Sequence, residues 1–221
     1  MVSLFDILGP VMVGPSSSHT AGACRLGLMG RAIAGGTPDH ALIRLHGSFA
    51  ATGEGHGTHR AIVGGLIGLA PDDLRLRQAY DQATAAGLEW EFHDVDLGED
   101  VHPNTALFEI ERAGEKVALR GASVGGGRIE VTELNGFPVS LGGGYHTLVL
   151  LATDRPGTIA AIAGLLATEG VNLATMRVDR TGRLEEALMT IEADQPIPDV
   201  AIQAIRAFPW LHWARRIEKI S

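Results

Sequence analysis

Leu141-Gly142-Gly143-Gly144 separates two segments whose apolar residues recur at different periods. On its C-terminal side, Tyr145–Thr153 reads as a strand. Pro156–Glu169 then carries apolar residues at helical spacing, with Asp154 as the expected N-cap and Pro156 in the first turn. Val171–Asp179 and Leu184–Ala193 read as strands around an Arg180-Thr181-Gly182 turn. Asp199–Ala207 reads as a helix and Trp210–Ile217 as a last strand. The order is βαββαβ.

That order is the ferredoxin-like arrangement. On the N-terminal side the pattern is mixed. Helices are expected over Ser17–Ile33, Gly57–Leu69 and Leu74–Ala86, and strands over Ala41–Ala51 and Glu89–Leu97. Thr105–Arg112, Lys116–Ala122 and Arg128–Leu134 read as strands of a meander. The chain is therefore an α+β protein of two domains, residues 1–141 and 142–221.

Composition narrows the function. Apolar residues make up 45% of the 221, enough for a normal core, and charged residues 20%, with a formal net charge of −8. No basic stripe marks a nucleic-acid partner, and no apolar run approaches the length of a membrane span. The N-terminus has no basic stretch ahead of an apolar one, so a cytoplasmic protein is expected. Cys24 is the one cysteine, which excludes a disulfide framework and a multi-thiolate metal site within the chain. The two lysines, Lys116 in a turn and Lys219 near the end, are poorly placed for a Schiff base to pyridoxal phosphate.

Four segments carry chemistry-bearing side chains. Gly14-Pro-Ser-Ser-Ser-His-Thr20 sets three hydroxyls and an imidazole before a helix start, where free N–H groups favour a carboxylate or phosphate. An ordinary N-cap accounts for one of those serines, not for three followed by His and Thr. Ser48-Phe-Ala-Ala-Thr-Gly-Glu-Gly-His-Gly-Thr-His59 is a glycine-rich helix entrance that is neither a P-loop nor a dinucleotide fingerprint. Its two histidines lack an evident third ligand, so no metal site is expected. His102-Pro-Asn-Thr105 is a polar turn before a strand, and Ser123-Val-Gly-Gly-Gly127 is a glycine cluster at a strand break.

Together these segments resemble the iron–sulfur L-serine dehydratase β subunits. Phe5-Asp-Ile-Leu-Gly-Pro-Val-Met-Val-Gly-Pro-Ser-Ser-Ser-His-Thr-Ala-Gly22 matches that family's opening, and the other three follow in its order. His59 stands where the family has an acidic residue. Asp154-Arg-Pro-Gly-Thr-Ile159 and Gly170-Val-Asn-Leu-Ala174 resemble an ACT domain, an amino-acid-binding regulatory module.

The resemblance implies an enzyme that converts L-serine to pyruvate and ammonia. A [4Fe-4S] cluster needs about three or four thiolates, so it would be ligated by a separate α subunit. Iron as a Lewis acid would take the serine oxygens while a nearby base removes the α-proton. His19, His56 and His102 are the candidate acids and bases. Ser16, Ser17, Ser18, Thr20, Ser48, Asn104 and Ser123 are the candidate substrate contacts. In the ACT domain, Asp154, Gly157 and Asn172 would hold an effector between paired chains, with Asp154 repelling an effector's carboxylate. A homodimer through residues 142–221 is expected. The alternative is a non-catalytic regulatory module like the allosteric and ACT domains of phosphoglycerate dehydrogenases.

Overall fold

The computed structural model describes residues 11–220, so residues 5–10 of the opening motif lie outside it. The chain forms two compact units that divide between Gly142 and Gly143. In the first, a π-helical turn at Ser17–Gly22 runs into α1 (Ala23–Ala34), followed by β1 (His40–His46), α2 (Ser48–Thr52) and α3 (Thr58–Leu66). A 3-10 turn at Leu74–Gln78 leads into α4 (Ala79–Ala85). The remaining elements are β2 (Glu89–Val95), β3 (Thr105–Arg112), β4 (Glu115–Gly125), β5 (Arg128–Leu134) and β6 (Phe137–Leu141).

These strands make one six-stranded sheet in the order β2-β1-β3-β4-β5-β6. β1 and β2 pair in parallel, as the helical crossover between them requires, and the other pairs are antiparallel. Alternation fixes which side is covered. Ala106, Phe108 and Ile110 of β3 and Val117 and Leu119 of β4 are buried, while Glu109 and Ala118 between them are exposed. α1 packs on the buried face through Leu26, Met29 and Ile33, each contributing about 1.5–3 kcal/mol by burial. Small residues set the distance. A methyl on Gly121 would lie 2.7 Å from Leu26, and one on Gly30 would lie 2.8 Å from Ile110. α1 and α3 cross backbone against backbone, because a methyl on Gly65 would lie 2.1 Å from the Cys24 carbonyl.

Three expectations are corrected here. The strand expected over Ala41–Ala51 stops at His46, since Gly47 adopts φ 58° against Pro103 and the chain turns into α2. β6 was not foreseen; it is an edge strand, which is where Pro138 is tolerated. Asp154 does not cap the helix that follows it: that cap is Gly157, at φ 94°. The Asp154 carboxylate is already taken by the Leu184 N–H at 3.2 Å and by Arg180 at 3.1 Å.

The second unit comprises β7 (His146–Thr153), α5 (Thr158–Thr168), β8 (Leu173–Arg180), β9 (Glu186–Ala193), α6 (Asp199–Arg206) and β10 (Leu211–Ile217). Its sheet runs β10-β7-β9-β8, all antiparallel, which is the ferredoxin-like order read from the sequence. Leu148, Leu150, Met189 and Ile191 meet Ile162, Leu166, Ile202 and Ile205 of the two helices in its core. β8 is an edge strand with Ala174, Thr175 and Arg177 exposed. Among the described residues no helix is long and apolar enough to cross a membrane.

Cys24 is fully buried on α1, and its thiol donates to the Leu69 carbonyl at 3.2 Å. Burial pushes its pKa up to about 12. The thiol should therefore resist alkylation in the native chain and react only once denaturant is added. Mass spectrometry after iodoacetamide treatment checks this, and rapid native labelling would contradict the packing.

Candidate active site

The four polar segments close into a ring on the first unit. Ser16 is the serine that caps: its hydroxyl accepts from the His19 N–H at 3.1 Å and opens the π-helical turn. π-turns are rare and collect at functional sites. This one aims the His19 ring at the second segment. His19 Nε2 lies 3.2 Å from the Ser48 hydroxyl, 3.2 Å from the Thr52 hydroxyl and 3.4 Å from the Ser48 carbonyl. Its ring meets Phe49 edge-on at 5.2 Å and His56 at 5.1 Å. Thr20 donates to the His56 carbonyl at 3.3 Å.

The second segment reaches the third where the Phe49 N–H donates to the Pro103 carbonyl. The third reaches the fourth where Asn104 and Ser123 exchange hydrogen bonds, the Ser123 N–H donating at 3.0 Å and the Asn104 amide at 3.4 Å. The fourth returns to the first, with Ser123 packed so tightly against Gly22 that a methyl there would lie 2.0 Å from its hydroxyl. Arg25, one turn into α1, donates to the Gly127 carbonyl at 2.7 Å.

Hydrogen-bond partners separate the three histidines. His56 Nδ1 lies 2.9 Å from the Thr52 carbonyl, which can only accept, so the ring proton sits on Nδ1 and Nε2 keeps a free lone pair. His102 is reversed. Its Nδ1 accepts from the Asn104 N–H at 3.1 Å, so its lone pair is spent. His19 is half-buried, and burial holds it below the usual imidazole range; His56 beside it acts the same way, while the hydrogen bond to the Ser48 carbonyl opposes both.

Ser123 lies deepest of the expected substrate contacts. It is fully buried, its hydroxyl unpartnered among the described residues and pressed against Gly22. Ser17 and Ser18 are half-buried, and among the described residues their hydroxyls make no hydrogen bond. Thr52 and Arg25 belong to the ring and were not singled out beforehand. His59 leans edge-on against Phe92 at 4.5 Å, away from the other two histidines in its contacts.

Among the described residues no cluster of His, Cys, Asp or Glu is arranged to hold a metal. The buried, protonated Cys24 thiol does not fit an iron–sulfur cluster, so the chain offers no thiolate for one.

A family model described as serine dehydratase beta chain matches residues 3–133. The chain belongs to that family. It is 44% identical over 207 residues to the probable L-serine dehydratase beta chain of Bacillus subtilis, covering 94% of both chains. It is 35% identical over 217 residues to the L-serine dehydratase beta chain of Peptoniphilus asaccharolyticus, covering 98% of both. A D-3-phosphoglycerate dehydrogenase of Synechocystis is 29% identical over 81% of this chain, but the match spans only 32% of that protein. The regulatory alternative thus has partial support and the dehydratase family near-complete coverage. Residues 146–209 match the ACT domain model.

In that ACT domain, Asp154 and Gly157 line a cavity of about 300 Å³ together with Arg155, Arg180 and Arg183. Arg180 and the Leu184 N–H offset the Asp154 carboxylate and hold it below the usual carboxylate range, the backbone bond being the largest cause. Asn172 is engaged elsewhere, its amide donating to Asp194 at 2.8 Å.

Proposed function

We propose that this chain is the β subunit of an iron–sulfur L-serine dehydratase, active only when joined by a cysteine-bearing α subunit that carries the cluster. The observation that carries the reading is the unencumbered Nε2 of His56 within a ring of four polar segments drawn from distant parts of the chain. The relatives named beta chains support a separate α chain.

Dehydration of serine requires loss of the α-proton and of the β-hydroxyl. His56 takes the α-proton at Nε2, while its Nδ1–H stays on the Thr52 carbonyl, which steadies the imidazolium that forms. His19 orients the Ser48 and Thr52 hydroxyls and shields that side of His56 from water. His102, with its lone pair spent, acts as a hydrogen-bond donor through Nε2. Ser17 and Ser18 offer unspent hydroxyls to the substrate carboxylate. The cluster carried by the α subunit would supply the Lewis acid that accepts the departing β-hydroxide, and the aminoacrylate left behind becomes an imine and hydrolyses to pyruvate and ammonia. A purely regulatory role leaves the free base without use.

The purified chain should be colourless and inactive on L-serine, since its one cysteine is inaccessible. Anaerobic mixing with the α subunit should give oxygen-sensitive pyruvate formation. Activity from this chain alone, or gained by adding pyridoxal phosphate, would overturn the assignment.

The ACT domain pairs two copies of the subunit. Exposed Ile159 on α5 and the open edge of β8 support this, because both are left without a neighbour in the single chain. Light scattering should give a dimer for the full chain and a monomer for a version ending at Leu141. Monomers from both at micromolar concentration would remove the pairing.

A further inference from the structure

Arg25 is half-buried on α1, and among the described residues it makes no ion pair. One guanidinium N–H donates to the Gly127 carbonyl at 2.7 Å, and its Nε–H is buried with no acceptor among the described residues. Arg44, Arg75 and Arg120 of the same unit each hold a carboxylate. A half-buried guanidinium without one is a cost to the fold, so its place there points to a use other than stability. We propose that Arg25 is a positioning residue. It holds the glycine hairpin between β4 and β5 against the π-helical turn, and so keeps the Ser17 and Ser18 hydroxyls in place for substrate.

The hairpin needs such a hold. Gly125, Gly126 and Gly127 have φ of 102°, 62° and 76°, backbone conformations that glycine adopts at little cost. The tip therefore carries no side chain that could anchor it. The β4–β5 register also shifts between Ser123 and Gly125, so the ladder is interrupted where it enters the tip. A bond from a charged donor is about twice as strong as a neutral one, which suits it to a segment with so much freedom to lose.

The start of α1 meets this hairpin twice. Ser123 packs on Gly22, and one helical turn further on Arg25 reaches Gly127. Two attachments set an angle, whereas one would leave a hinge. Both β4 and β5 pack against the π-helical turn that carries Ser17, Ser18 and His19. A tip swinging on Ser123 alone would let that wall of the site move while the fold stayed intact.

The clamp is testable on the chain alone, whereas its effect on substrate rests on the dehydratase reading. Hydrogen exchange followed by NMR on the full chain should show the Gly125 and Arg128 amides exchanging at least about tenfold faster in Arg25→Met, whose unbranched stem still fills its place on α1. Arg25→Lys keeps a charged donor and should recover most of the protection. The Phe108 amide in β3 should be unchanged in both variants, which separates a freed tip from general loosening. In the enzyme assembled with the α subunit, Arg25→Met should raise KM for L-serine about tenfold and change kcat by much less, because hydroxyls that hold the carboxylate contribute to binding throughout the reaction. Arg25→Lys should fall between that variant and the wild type.

Wild-type exchange at Gly125 and Arg128 in Arg25→Met, or faster exchange throughout the sheet, would remove the clamp. Faster exchange at the tip with an unchanged KM would overturn the positioning role. If the wild-type chain never yields pyruvate with an α subunit, the dehydratase reading fails, and the exchange rates still decide whether Arg25 holds the hairpin.

Discussion

Replacing His56 by Gln lowers turnover of the assembled enzyme by at least about a hundredfold, roughly 2.7 kcal/mol of transition-state stabilisation. Glutamine can still donate to the Thr52 carbonyl, so the loop keeps its shape and the missing element is the lone pair at Nε2. His56 is exposed, so unfolding temperature should hardly change. His102→Gln is the informative comparison. Its lone pair already accepts from the Asn104 N–H, so the loss of a base should not be felt there and the effect should be much smaller. Pyruvate formation measured on both variants, alongside thermal melts, decides the matter. A His56 variant within a few fold of wild type, or a His102 variant that falls further, would reverse the assignment.

Gly65→Ala should have the largest effect on stability, about 3 kcal/mol or more. Its methyl would lie 2.1 Å from the Cys24 carbonyl, 2.7 Å from the Leu28 nitrogen and 2.9 Å from Gly27 Cα. All three are backbone atoms, so no side-chain rotation relieves the clash and the two helices must move apart. Gly27→Ala meets the same crossing from the other side, 2.2 Å from the Ile62 carbonyl. Gly164 is the contrast. It lies exposed in α5 with nothing within 4 Å of an added methyl, and Gly164→Ala there should be neutral or stabilising by about 0.5–1 kcal/mol. Chemical denaturation monitored separately for each unit's transition would show the difference. Equal effects at Gly65 and Gly164 would mean that the helix crossing is looser than described.

The second unit was legible almost element by element because its helices and strands have distinct periods and its core is local to 79 residues. The first unit was less so where long-range contacts decide. Strand propensity in Ala41–Ala51 is strong only up to Leu45, and the approach of Pro103 to Gly47 explains why the strand ends at His46. β6 hides behind Gly136 and Pro138, which read as a loop until the edge position is known. The four site segments stood out through residue type, since a helix cap accounts for one hydroxyl and not for three followed by His and Thr. Their division of labour did not stand out. That Ser16 caps and that His102 has no lone pair to give depend on the backbone geometry of residues two or three positions away, and that Ser123 is buried depends on Gly22 far away in the chain. Arg25 and Thr52 were passed over because an arginine on a helix and a threonine in a loop are unremarkable until their partners are seen.

The ring of four segments also has a kinetic meaning. His19 meets Ser48 across 29 residues and Arg25 meets Gly127 across 102, so the site is closed by contacts of high sequence separation. Such contacts form late, after the local helices and the β3–β4–β5 meander, because the loops they close are long. A nascent or partly unfolded chain therefore holds every catalytic side chain and none of the geometry. Loss of the last strand pairings would abolish the base's environment outright rather than weaken it, which ties the appearance of chemistry to the completion of folding.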